Sequence, residues 1–205
     1  RLVSAGYEVI HFHASGPGGR ALESLAEAGE LAGVIDVTTH ELTDLIVDGV
    51  YSAGDGRLKS AGAAGLPQIV IPGALDHANF WVGEVPERYA TREFFKYNAQ
   101  NILMRTNVDE FRALGKLVAD RVSAALGPVV VMIPTRGYSE HTKRMTQGLD
   151  ESEIGPWNQP EVDSVFVESL RTHLDDAKLV EYDAHINDVE FADACVDKFL
   201  VMIAG

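Results

Sequence analysis

Histidines and aspartates recur in this chain just beyond short apolar runs, where proton transfer or oxyanion recognition could be staged. His11, His13, His40, His77 and His185 follow such runs, with Asp36, Asp76 and Asp183 nearby. Imidazole changes charge near neutrality, and a neighbouring carboxylate can fix its tautomer, so such pairs suit acid–base work. The candidates for that chemistry are His13, Asp76, His77, Asp183 and His185. His11 and His13 would share one face of an extended strand. No H-E-x-x-H arrangement supplies further ligands, so no metal site is expected.

A second constellation concerns anions. Ser15, Gly16, Gly18 and Gly19 precede a helical stretch, where backbone N–H groups can approach a phosphate or carboxylate. Gly16, Gly18 and Ala21, with Asp36 further on, match the short alanine-ended dinucleotide fingerprint. The same glycines would equally serve a tight turn. Asp36, at the end of a buried run, must find a partner or a ligand. Thr38 and Thr39 are candidate ligand contacts or helix caps. Arg105 and Arg136 suit a carboxylate or phosphate, or a salt bridge to one of the aspartates. Ser15 and Ser139 lack the context of a nucleophilic serine.

The elements that must position these residues are read from periodicity. Strands are predicted at Tyr7–His11, Gly33–Val37, Gln68–Ile71, Asn101–Arg105, Val129–Ile133 and Lys178–Tyr182. The continuously apolar Val129–Ile133 suits a strand covered on both faces. Helices are predicted between them. Thr38 to Glu41 reads as a capping box for Leu42, Leu45, Ile46 and Val50, and Asn107 with Glu110 as another. Pro160 suits a first helical position. A last helix from about Asp188 would bury Ala192, Val196, Phe199 and Ile203, with Cys195 bordering that stripe as a small core hydrophobe. Strand–helix alternation implies an α/β fold: an open, mainly parallel Rossmann-like sheet with helices on both faces, lacking its first βα unit. Residues 72–100 read as a long aromatic excursion, a flap or an interface. Residues 137–159 read as a polar segment.

The 205 residues suffice for one core, and 46% hydrophobic with 23% charged residues is ordinary for a globular protein. The net charge of −14, from 17 basic and 31 acidic residues, disfavours nucleic acid as a partner. No apolar run approaches membrane-spanning length, so no membrane partner is expected. Cys195 alone rules out an intrachain disulfide, and a cytoplasmic location is expected.

Five ordered blocks then carry a resemblance: His13–Ala21, Gly33–Leu42, Pro72–Asp76, Met104–Thr106 and Asp183–Asp188. Together they resemble the second half of the tomato mosaic virus resistance protein-like ATP-binding family, most of whose members are uncharacterised bacterial and fungal proteins. The resemblance spans nearly the whole chain. It implies residues 1–205 as one α/β domain, the C-terminal subdomain of a larger two-subdomain protein. It also implies ATP binding and homo-oligomerisation, and Mg²⁺ is a candidate cofactor beside the ATP. Ser15 and Pro17 stand where that family's threonines are expected.

The leading expectation is a domain binding a nucleotide or a phosphorylated or carboxylated metabolite through Ser15, Gly16, Gly18, Gly19, Asp36, Thr38, Thr39, Arg105 and Arg136. The alternatives are a hydrolase or lyase acting on a small oxyanionic metabolite, and a regulatory or assembly module acting by protein contact.

Overall fold

The computed structural model describes residues 1–143, 145–155 and 157–204. Its centre is a four-stranded parallel sheet in the order β1 (Val34–Thr38), β2 (Gln68–Gly73), β6 (Val129–Pro134) and β9 (Leu179–Tyr182). Val34 lies opposite Gln68, Gln68 opposite Val129, and Val131 opposite Leu179. Every residue of β2 and β6 is buried, as strands covered on both faces require.

Side chains alternate across the sheet and split its core in two. Val70, Val131 and Ile133 pack with Phe111, Leu114 and Val118 of α4 (Val108–Ser123) and Phe166 and Leu170 of α5 (Pro160–His173). On the other face, Ile69, Ile71, Val130 and Met132 meet Phe191, Cys195 and Phe199 of α6 (Val189–Ala204). The fold is therefore the expected α/β sheet with helices on both faces. Burial pushes the Cys195 thiol up to about 12, consistent with a core residue. The buried stripe of α6 runs through Phe191, Cys195 and Phe199, with Ile203 packed against it; Phe199 and Ile203 lie as predicted, whereas Ala192 is exposed and Val196 half-buried.

Two predicted strands need correction. Tyr7–His11 forms none: among the described residues no strand offers it a hydrogen-bonding ladder, and β1 pairs there with β2 alone. Asn101–Arg105 is a strand, β5, but it lies outside the parallel sheet. It pairs antiparallel with β3 (His77–Trp81) and β4 (Phe94–Lys96) in a second, three-stranded sheet. The cause is local: after β2 the chain turns sharply through Ala74, at φ 58°, and reverses into β3. The aromatic excursion is thus mostly core: Phe80, Phe94 and Phe95 are buried, while Tyr97 is exposed.

Helix starts are partly as expected. Asn107 and Glu110 form the reciprocal capping box of α4, and Pro160 opens α5. The box predicted at Thr38–Glu41 does not form. In α2 (Glu41–Val47) the Thr39 hydroxyl instead donates to the Ile71 carbonyl, and the Glu41 carboxylate is drawn to stronger partners elsewhere.

Replacing Asn107 with Ala should lower stability by about 1 kcal/mol through loss of that cap. Urea denaturation reads this as a lower midpoint at constant slope; an unchanged midpoint would contradict it.

Candidate functional site

The glycine loop enters α1 (Pro17–Glu27), with Gly16 at the N-cap at φ 86°. Its amides already hold an anion, and that anion belongs to the protein. Gly16 N–H and Gly19 N–H donate to Glu41 Oε1 at 2.6 and 3.2 Å. A Cβ on Gly19 would lie 2.3 Å from that carboxylate, and one on Gly18 would lie 1.9 Å from the His13 carbonyl oxygen. Gly18→Val would therefore disturb the fold before it reported on any ligand. Ser15 Oγ turns back to the His13 carbonyl.

Behind the loop sits a buried ionic cluster. Arg57 Nε donates to Glu41 Oε2 at 2.5 Å, and its two Nη groups grip Asp36 at 2.5 and 2.7 Å. Glu23 lies 3.4 Å from Nη1 and accepts the backbone N–H groups of Leu58, Lys59 and Ser60. Burial disfavours the charge on Arg57, but Asp36 and Glu41 outweigh it and raise the guanidinium above its ordinary range. The partner that Asp36 required is therefore Arg57. Of the threonines, Thr38 offers only its carbonyl to Arg57, at 3.5 Å.

Beyond the carboxyl ends of the strands, the turn after β2 supplies Asp76 and β3 begins with His77. Asp76 is fully buried. His77 Nδ1 lies 3.0 Å from Asp76 Oδ1, while Oδ2 accepts from Ser139 Oγ at 2.6 Å and Trp157 Nε1 at 2.8 Å. Burial pushes the Asp76 carboxyl up, yet the hydrogen bond from His77, the Arg105 guanidinium and the Ser139 hydroxyl together hold it well below the usual range. A carboxylate held ionised assigns the proton on His77 to Nδ1 and leaves the lone pair on Nε2. Among the described residues, nothing hydrogen-bonds that Nε2.

Rings wall this position. His40 stacks on His77 at 6.0 Å between centroids, with His141 at 5.6 Å and Trp157 at 5.9 Å. His40 is itself fixed: Nε2 reaches the Ala14 carbonyl at 2.5 Å and Nδ1 meets Asn79 Nδ2 at 3.2 Å. Asn79 also donates to Asp44, a buried carboxylate. His185 stands close by, with Nε2 2.9 Å from both Thr142 Oγ1 and the Ser139 carbonyl.

Arg105 is buried and paired with Asp163, and it also donates to the carbonyls of Asp76, Thr106 and Trp157. Arg136 is exposed and joined to Asp183 by two hydrogen bonds of 2.8 Å. Both arginines make the salt bridges that sequence reading had set beside ligand binding. Burial pushes the Asp163 carboxyl up to about 6, against the opposing pull of Arg105. A cavity of about 180 Å³ opens beside it, lined by Thr135, Gly137, Tyr138, Asp163, Ser164 and Arg171 among others.

The structure therefore brings Asp76, His77 and His185 into one neighbourhood and leaves His13 exposed near its rim. Sequence reading missed Arg57, Glu23, Trp157 and His141, and the roles of Glu41 and Ser139. Three acids on elements that must be buried were a signal that a cation had to lie among them. Nothing in the local pattern around Arg57 marked it.

The architecture and this edge define a parallel α/β domain with a buried aspartate–histidine pair beyond its strands. The chain belongs to the uncharacterised protein family UPF0261, whose C-terminal domain matches residues 1–203. It is 42% identical over 192 residues to a UPF0261 protein of Mesorhizobium japonicum, covering 92% of this chain and 46% of that protein. It is 38% identical over 206 residues to one from Clostridium tetani, covering 98% and 48%. The tomato (Solanum lycopersicum) ToMV resistance protein Tm-1 is 35% identical over 206 residues, covering 98% of this chain and 26% of that protein. The chain thus spans about half the length of the bacterial relatives.

Two outcomes test this description. Arg57→Met should cost roughly 3–5 kcal/mol in denaturant unfolding, because three buried carboxylates lose their cation; a cost below about 1 kcal/mol would refute the cluster's role. Asp163 is held above its unfolded pKa, so its contribution is fully present below about pH 4 and is lost as pH rises through about 6. Asp163→Asn should flatten that part of the stability–pH curve, and an unchanged slope would contradict it.

Proposed function

We propose that this domain binds a small oxyanionic metabolite at the carboxyl edge of its sheet and that His77, oriented by Asp76, exchanges a proton with it. One observation carries the reading. A fully buried carboxylate is satisfied by His77, Ser139 and Trp157 at once, and the imidazole it orients keeps Nε2 without a partner among the described residues. A histidine serving only the core would have both nitrogens satisfied, as His40 does. The arrangement has the logic of a general base: carboxylate, Nδ1–H, and a free lone pair on Nε2.

Chemically, Nε2 would accept a proton from a ligand C–H, O–H or bound water, and Asp76 would stabilise the imidazolium so formed. Return of that proton to a leaving group or carbanion completes a hydrolase- or lyase-type cycle. Ser139 and Trp157 keep Asp76 in place, and the His141 and Trp157 rings stand edge-on to His77.

ATP with Mg²⁺ enters as a second ligand class, supported by the similarity to the family resembled above. Against a nucleotide on the glycine loop stands Glu41, which already takes the Gly16 and Gly19 amides. A nucleotide there would have to displace it or use other donors.

The test is a ligand screen of the full chain by thermal shift, using phosphosugars, carboxylates and nucleotides with and without Mg²⁺, followed by proton-exchange NMR in D₂O on each hit. Solvent deuterium should enter the ligand or its product, and His77→Gln should slow that exchange by at least about a hundredfold while the ligand still binds. Exchange that survives His77→Gln, or hits that show neither exchange nor turnover, would overturn the proton-transfer role.

A further inference from the structure

We infer that Arg20 is the anion-recognition residue of this edge, meeting a carboxylate or phosphate group of the ligand whose reacting part lies at His77. This deepens the function proposed above and rests on its placement of the ligand site.

The first observation is a departure from the rest of the molecule. The chain carries a net charge of −14, and its arginines are almost all claimed by acids. Among the described residues, every arginine but one lies within ion-pair distance of a carboxylate, including the buried Arg57 and Arg105 and the exposed Arg88, Arg136 and Arg171. The exception is Arg20. Its one hydrogen bond runs from Nη1 to the Ser52 carbonyl at 3.3 Å, and its side chain is exposed. With 31 acidic residues to choose from, a guanidinium left without an internal counter-charge is available to an external one.

The second observation is where it stands. Arg20 Nη1 would lie 3.4 Å from a Cβ placed on Gly16, beside the carbonyls of Tyr51 and Ser52. A succession of contacts joins that point to His77. The Tyr51 ring lies 6.1 Å from His40, and His40 lies 6.0 Å from His77. His40 also holds the Ala14 carbonyl at the base of the loop. The free guanidinium and the free imidazole nitrogen therefore belong to one continuous stretch of the carboxyl edge.

The third concerns competition for an anion. Two of the loop amides that could have taken a ligand oxyanion, those of Gly16 and Gly19, are spent on Glu41. A guanidinium is then the stronger partner for a ligand anion, and Arg105 and Arg57 are buried and fully engaged. Arg20 is the guanidinium at the loop that remains. Its planar fork suits carboxylate and phosphate oxygens alike, so the shared chemistry is a planar or tetrahedral oxyanion.

The experiment is binding of two simple probes to the full chain, inorganic phosphate and malonate, by calorimetry and by thermal shift. At least one should bind saturably. Arg20→Gln should weaken that binding at least tenfold with an unchanged melting temperature in the absence of probe, and Arg20→Lys should restore part of it. Binding of phosphate alone points to a phosphorylated ligand, and binding of malonate alone to a carboxylated one; either supports the role of Arg20. Binding that Arg20→Gln leaves intact, or saturable binding of neither probe, overturns it. The outcome is separable from the proton-transfer reading, because anion binding needs no turnover: Arg20-dependent binding without any proton exchange would sustain this inference and remove the other.

Discussion

Arg57 is the cation around which three acidic residues from separate parts of the chain are arranged. Asp36 comes from the middle of β1, Glu41 from the start of α2 and Glu23 from the middle of α1. Two or more buried carboxylates without a cation between them would repel and demand protonation, so the arrangement stands or falls as a unit. The consequence reaches the surface through Glu41. With one oxygen on Arg57 and the other on the amides of Gly16 and Gly19, it pins the start of α1 to the start of α2. The preceding loop then places the Ala14 carbonyl on His40, and His40 stacks on His77. The carboxyl edge inherits its geometry from a charge cluster one layer beneath it.

A second hub meets the first at His77. Asp76 gathers the turn after β2, the loop after β6 through Ser139, and the segment before α5 through Trp157. Arg105, at the end of β5, spans the same region by bonding the Asp76 carbonyl and the Asp163 carboxylate. The antiparallel sheet and the parallel one are thus joined by polar contacts at the carboxyl edge. Each of these groups is buried and hydrogen-bonded, so truncation of one partner leaves another unsatisfied. Such a hub holds the His77 imidazole through Nδ1 and leaves Nε2 without a partner among the described residues.

Much of the scaffold was legible in sequence because it follows from local pattern. Val129–Ile133 was read as a doubly covered strand, and all of β6 is buried. Asn107 with Glu110 and Pro160 marked two helix starts that the structure reproduces. Asp76, His77 and His185, each read as following an apolar run, do gather at the carboxyl edge. What failed were assignments that depend on distant partners. Tyr7–His11 has strand-like residues but no neighbour to pair with, and Asn101–Arg105 pairs in the opposite sense because the turn at Ala74 reverses the chain. The glycine loop has the spacing of an anion cradle, yet nothing local reveals that Glu41 fills it. Arg57 has no motif around it; only the need to neutralise Glu23, Asp36 and Glu41 together points to it.

Which nitrogen of His77 carries the proton decides whether it can act as a base, and long-range nitrogen–proton correlation NMR of ¹⁵N-histidine-labelled protein reads that directly. At mildly alkaline pH, where imidazoles are neutral, the account predicts His77 with a protonated Nδ1 and an unprotonated Nε2, shifting to the other form in Asp76→Asn. An Nε2–H tautomer in the unmodified protein would mean that Asp76 does not orient the ring, and the proposed base would have no lone pair to offer.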